Sequence, residues 1–134
     1  MTVHYLRTKD VALIHFMMMK KFNDEEQAGI KEQGLLESAV YRPQQSAFGE
    51  DAYPTLFEKA LALFESLARN HCFHNGNKRT AFAAVDIFLK KNGYNIKKND
   101  TANENFTVDV AQGKVALADI AGWLSDNTEV YDGA

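Results

Sequence analysis

Residues 54–93 carry the pattern that most restricts what this chain can fold into. From Pro54 onward, Phe57, Leu61, Phe64 and Ala68 recur on one helical face, and Leu56, Ala60, Leu63 and Leu67 occupy the face beside it. Pro54 suits the first position of that helix, because its missing N–H would be unpaired there anyway. The pattern stops at His71–Gly76 (HCFHNG) and resumes at about Asn77, where Ala81, Phe82, Val85, Phe88 and Leu89 again cover more than one face. Asn92 and Gly93 close this second helix, Gly93 being placed for the left-handed conformation of a helix end. Two successive helices that are apolar on more than one face must be covered by others, so the expected fold class is all-α, a bundle of about six helices around this central pair.

The flanking segments supply the cover. Thr8 is placed to cap a first helix running to about Lys21, with Val11, Ile14, Met18 and Phe22 as its stripe. Phe16, Met17, Met18 and Met19 read as core and interface filler. Asn23–Gly34 is polar and reads as a loop with a short turn. Leu35–Tyr41 reads as a short helix stopped by Pro43, since the residue before a proline is biased away from the α region. Arg42–Pro54 (RPQQSAFGEDAYP) has no period, and its Gly49 fits an exposed loop or small hairpin. Tyr94–Ile96 is the best strand candidate, and two further helices are expected at about Ala102–Ala111 and Val115–Ser125. No repeat divides the chain, so residues 1–134 read as a single domain.

Composition narrows the function classes. With 134 residues, 46% of them hydrophobic, the chain has enough apolar material for one core. Fifteen basic and eighteen acidic side chains leave a net charge of −3, which gives no global attraction to nucleic acid. Lys90, Lys91, Lys97 and Lys98 read as lysines complementing a helix end rather than as a nucleic-acid patch. Asp86, four residues before Lys90, is placed for an ordinary ion pair. The longest purely apolar runs, Ala60–Phe64 and Ala81–Val85, are five residues each and far short of a membrane span. The polar start, MTVHYLRTKD, lacks the form of a secretory signal, and the single Cys72 excludes an internal disulfide. A reducing, cytoplasmic location is the expectation.

The chemistry concentrates in His71–Thr80, HCFHNGNKRT. A helix opening at Asn77 presents unpaired backbone N–H groups and about half a positive charge, and Lys78 and Arg79 add to it. Gly76, lacking a Cβ, is expected to let a ligand approach the backbone closely. His71 stands at the rim with a ring able to take a proton near neutral pH. A base beside a phosphate cradle suggests transfer of a phosphorus group to a hydroxyl. The other use of these residue types, a zinc site from His71, Cys72 and His74, lacks the second Cys/His pair that a structural site needs. Cys72 reads as a small buried hydrophobe and His74 as solvent-facing.

HCFHNGNKRT resembles the Fic signature, H-x-F-x-[DE]-G-N-[GK]-R, and Lys78 makes it most similar to the death-on-curing (Doc) branch. GLLESAVYRPQ, YPTLFEKAL, FLKKNGY and FTVDVAQGKVALADIAGWL extend the resemblance over roughly residues 5–127. It implies a Fic fold with His71 as general base toward a target Ser or Thr hydroxyl and Phe73 as the anchor of the loop. Gly76, Asn77, Lys78 and Arg79 would bind nucleotide phosphates. Arg42, Pro43 and Gln44 would begin a flap, running to about Tyr53, that positions the target peptide. The Doc branch further implies a kinase that moves the γ-phosphate of ATP to elongation factor Tu, acting as the toxin of a toxin–antitoxin pair whose antitoxin docks an extra helix.

Two positions differ from the signature. Asn75 stands where the family has the acidic residue that holds Mg²⁺, and an amide oxygen brings no charge, so lower metal affinity is expected. Phe82 replaces the second arginine of many adenylyl-transferring members, which disfavours AMP transfer. A same-chain inhibitory helix would read [ST]-x-x-x-E-[GN], whereas Ser125–Val130 places Val130 after Glu129. Control by a separate antitoxin is the expectation. An adenylyl transferase on the same fold and a catalytically weak binding or regulatory protein, motivated by Asn75, are the alternative functions.

Overall fold

The computed structural model describes residues 2–133 and shows, among them, six α-helices and two small antiparallel strand pairs, a mostly helical bundle. The helices are α1 (Thr8–Lys21), α2 (Gln33–Tyr41), α3 (Leu56–Arg69), α4 (Asn77–Lys91), α5 (Asp100–Ala111) and α6 (Leu117–Asp126). Helix α3 packs along α4, and α1, α2, α5 and α6 are distributed around that pair. Leu63, Phe64 and Leu67 of α3 and Val85, Phe88 and Leu89 of α4 are fully buried. Leu36, Ile120 and Leu124 complete the core from α2 and α6, and Phe106 of α5 stacks on Trp123 of α6 at 3.9 Å between ring centroids.

Several boundaries depart from the sequence reading for identifiable reasons. The start of α1 is capped by Asp10 rather than Thr8: the Asp10 carboxylate accepts the Arg7 backbone N–H at 2.8 Å and pairs with the Arg7 guanidinium at 3.2 Å. These bonds from Arg7 hold the Asp10 pKa below its ordinary value. The buried stripe of α1 is Val11, Ile14, His15 and Met19; Met18 is half-buried, and Phe16, Met17 and Phe22 are exposed. Helix α1 ends before Phe22, which caps it and leaves the stripe.

Pro43 does not stop the chain at once. Arg42 stays in the helical region (φ −50°, ψ −41°), and a 3-10 turn follows over Arg42–Gln44. The reason lies in the Arg42 side chain, which donates to Tyr53 Oη (2.8 Å), Glu65 Oε1 (2.5 Å) and Ser66 Oγ (2.8 Å) and so fixes its own backbone. Pro54 lies outside α3, whose cap is Thr55: its hydroxyl oxygen accepts the Glu58 N–H at 3.2 Å and its O–H donates to Glu58 Oε1 at 2.8 Å. Between them, β1 (Ser46–Ala47) and β2 (Glu50–Asp51) form a hairpin turning at Phe48 (φ +54°) and Gly49 (φ +80°). Both turn residues lie in the left-handed region, as a tight two-residue hairpin turn requires.

The strand β3 (Tyr94–Ile96) forms where the sequence suggested one. Its partner β4 (Thr128–Val130), antiparallel with Ile96 opposite Thr128, was not anticipated. Position 129, where an inhibitory helix was sought, is therefore extended chain. Asn99 caps α5 through the Ala102 N–H at 3.1 Å, and Asp86 and Lys90 form the expected ion pair at 3.1 Å. Among the described residues, no helix is long and apolar enough to cross a membrane.

Candidate functional site

The link between α3 and α4 is short, and every part of it is tied down. After the α3 cap at Asn70, His71 takes φ +52°, a left-handed conformation that costs about 1 kcal/mol for a non-glycine residue and persists only where its surroundings enforce it. The next carbonyl, of Cys72, accepts the N–H groups of Lys31 (2.8 Å) and Glu32 (3.1 Å). Phe73 bridges to Ile30, and the His74 N–H donates to Gly29 O at 3.0 Å. The loop is thus stitched to residues 29–32, which reach it from the polar stretch after α1.

Phe73 is buried and lies flat on His15 of α1, the ring centroids 3.9 Å apart. Asn77 closes the loop from the other side: its Oδ1 accepts the Phe73 N–H and its Nδ2 donates to Phe73 O, each at 3.0 Å. Its side chain is therefore committed to the loop, and what Asn77 can offer a ligand is its backbone N–H. His15 was not singled out in the sequence, although it falls within the apolar stripe beside Ile14. Its Nε2 accepts the Gly29 N–H at 3.0 Å, which places the ring proton on Nδ1, facing Thr80 Oγ1 at 3.1 Å. Burial, with Arg79 nearby, pulls its pKa down to about 4, so the ring is neutral at pH 7.

Gly76 precedes α4 in the left-handed conformation (φ +71°). A Cβ there would overlap the sulfur of fully buried Met19, so the missing side chain accommodates α1. The backbone N–H groups of Asn77, Lys78 and Arg79 open the helix and have no partner within it. Residues 77–79 border a cleft of about 1000 Å³ between the start of α4 and α5, lined by His71, Asn75, Lys78 and Arg79 on one side and by Asn103 and Thr107 on the other. Phe82, the position of the absent second arginine, is an apolar part of the wall.

His71, Gly76, Lys78 and Arg79 thus share one cavity with Asn75. His71 and Lys78 are exposed, and Lys78 makes no ion pair among the described residues. Arg79 is paired with Asp24 at 2.9 Å and lies over the Phe22 ring. Asn75 turns its Oδ1 to the Gly76 N–H at 2.7 Å and its Nδ2 to Gln27 Oε1, so both ends of the amide are engaged. No group of three or more His, Cys, Asp or Glu side chains able to hold a metal ion occurs among the described residues. Cys72 is buried, which pushes its thiol pKa up, and His74 is exposed. Of the flap residues, Arg42 and Pro43 are turned into the fold, Gln44 is exposed, and the hairpin beyond them is the part free to meet another molecule. Neither Asp24 nor Gln27 carried a signal in the sequence beyond being polar.

A helical bundle whose two central helices are joined by a pinned loop, with a histidine at the start of that loop and an open helix N-terminus at its end, is the arrangement that the signature resemblance implies. Residues 5–89 match the model of the Fic/DOC family. The protein named Toxin Doc of Mycolicibacterium smegmatis is 45% identical over 103 residues, which cover 72% of this chain and 78% of that protein. Protein kinase doc of Escherichia phage P1 is 29% identical over 96 residues, covering 72% and 75% respectively. The chain belongs to the Fic/DOC family.

Proposed function

We propose that this protein is a Doc-like toxin of a bacterial toxin–antitoxin pair and a Fic-type phosphotransferase, moving the γ-phosphate of ATP to a Ser or Thr hydroxyl of a translation factor such as elongation factor Tu. The observation that carries the reading is the shared cleft, with His71 at one end of a rigid loop and the α4 N-terminus, Lys78 and Arg79 at the other. Two relatives, named as a Doc toxin and as a Doc protein kinase, support it.

In this reading the backbone N–H groups of residues 77–79, Lys78 and Arg79 bind phosphate oxygens. His71 takes the proton of the target hydroxyl, and the hydroxyl oxygen bonds to the γ-phosphorus as the bond to the bridging oxygen breaks and ADP departs. The rigidity of the loop matters because the imidazole must meet the hydroxyl at hydrogen-bond distance while the phosphate is held. The hairpin Ser46–Asp51 serves as the surface for the target segment. The residues present do not fit a Mg²⁺ held by the protein: Asn75 brings no charge, and its amide is already engaged on both ends. An ion accompanying ATP would depend on the phosphates, and no step is assigned to it. The antitoxin is given the exposed apolar face of α1, Leu13, Phe16 and Met17, whose i, i+3, i+4 spacing suits a partner helix.

Expression in a bacterial host tests the reading. Growth arrest by the wild type, abolished by His71→Ala at equal protein level, is the expected result. Equal toxicity of the two, or none from either, would show that the chemistry is not the function.

A further inference from the structure

Met18, Lys21 and Phe22 line the cleft on the α1 side, and next to them runs a short segment that the sequence offers only as a polar loop. After Lys21 the chain reverses: Phe22 caps α1, Asn23 takes φ +59°, and the Asp24 N–H returns to Met19 O at 2.8 Å. The reversal brings three side chains of residues 22–27 onto the site. Asp24 Oδ2 forms an ion pair with Arg79, 2.9 Å from its Nη2, the Phe22 ring centroid lies 4.8 Å from the Arg79 guanidinium carbon, and Gln27 holds Asn75. Arg79 and Asp24 are each only about a third exposed, 31% and 32%, so the pair is partly withdrawn from water and stronger than an open surface contact.

A guanidinium is a planar fork with five N–H groups. Asp24 takes one corner of it and the Phe22 ring lies against its carbon, which together restrict its position. The ion pair runs through Nη2 alone, leaving Nε and Nη1 outside it, and Arg79 lines the cleft. We infer that Asp24 and Phe22 are positioning residues for Arg79, holding its guanidinium so that the unused donors are presented to a phosphate in the cleft. The inference rests on the phosphate-binding role proposed for Arg79. It differs from a simple electrostatic reading of the pair, in which a carboxylate beside the cleft repels phosphate and its removal tightens binding.

Because the two accounts predict opposite signs, ATP binding by the full chain decides between them. Calorimetric titration of ATP into wild type, Asp24→Asn, Asp24→Glu, Arg79→Ala and the double variant Asp24→Asn/Arg79→Ala is the measurement. Asp24→Asn should weaken ATP about tenfold, the scale of one lost charge-assisted orienting contact, and Asp24→Glu should recover most of it. In the Arg79→Ala background Asp24→Asn should change nothing further, a non-additivity that general loosening of the fold would not produce. The Arg79 side-chain ¹⁵N resonances, hindered in the wild type, should become freely averaged in Asp24→Asn. If Arg79→Ala weakens ATP while Asp24→Asn binds it as tightly as or more tightly than wild type, the positioning role is overturned and the proposed function stands. If Arg79→Ala binds ATP like the wild type, the phosphate role of Arg79 fails and the inference falls with it.

Discussion

His15 shows how a single buried side chain sets the state of the whole loop. It joins Gly29, Thr80 and the Phe73 ring while carrying no charge. Its pKa in the folded protein, about 4, lies below the ordinary value of 6.5, so the unfolded chain takes up a proton first as pH falls. Stability from this residue is nearly complete above about pH 7 and declines toward pH 4, by about 1.5 kcal/mol between pH 6.5 and 5. Urea unfolding across that range should show the decline in the wild type and a flatter profile in His15→Gln; parallel profiles would contradict the assignment. At Asn75 the expectation concerns the metal. Asn75→Asp adds a charged oxygen beside the cleft, and Gln27 can meet it by presenting its NH₂ end, so the Mg²⁺ concentration giving half-maximal transfer should drop several-fold. An unchanged Mg²⁺ dependence would show that position 75 is not near the ion.

Among the elements, the start of α3 offers a contrast between propensity and observed bonding. Pro54 suits a first helical position by rule, yet Thr55 makes the reciprocal cap with Glu58. Thr55→Ala should therefore lower stability by about 1 kcal/mol, and Pro54→Ala by much less, when both are measured by thermal or urea unfolding. Elements legible in the sequence were those whose signal is local and repeated: α3 and α4 from their apolar spacing, β3 from its short extended run after Gly93. Elements that escaped depend on distant partners. Strand β4 forms because Thr128–Val130 meets β3 some thirty residues earlier, and nothing within TEV announces it. Arg42 keeps the helical region before Pro43 because Glu65 and Ser66, a helix away, hold its side chain.

At the scale of the molecule, the bundle brings a loop, a helix start and a reversed segment to one cleft, and only the first two could be read in advance. His71, Lys78 and Arg79 were found because they are adjacent in the chain and share a motif. Asp24, Gln27 and His15 were not, because their relation to the loop is made by α1 crossing α4 rather than by spacing. The acidic balance of −3 does not oppose the proposed anion site, since the charge that counts is local: the helix start with Lys78 and Arg79 lining the cleft. The central claim is that this cleft transfers a terminal phosphate with His71 as base. It is tested most directly by incubating the purified protein with elongation factor Tu and ATP labelled at either the α or the γ position. The account predicts that label reaches the target protein from the γ position only and that His71→Ala abolishes it; label transferred from the α position, or transfer that survives His71→Ala, would contradict it.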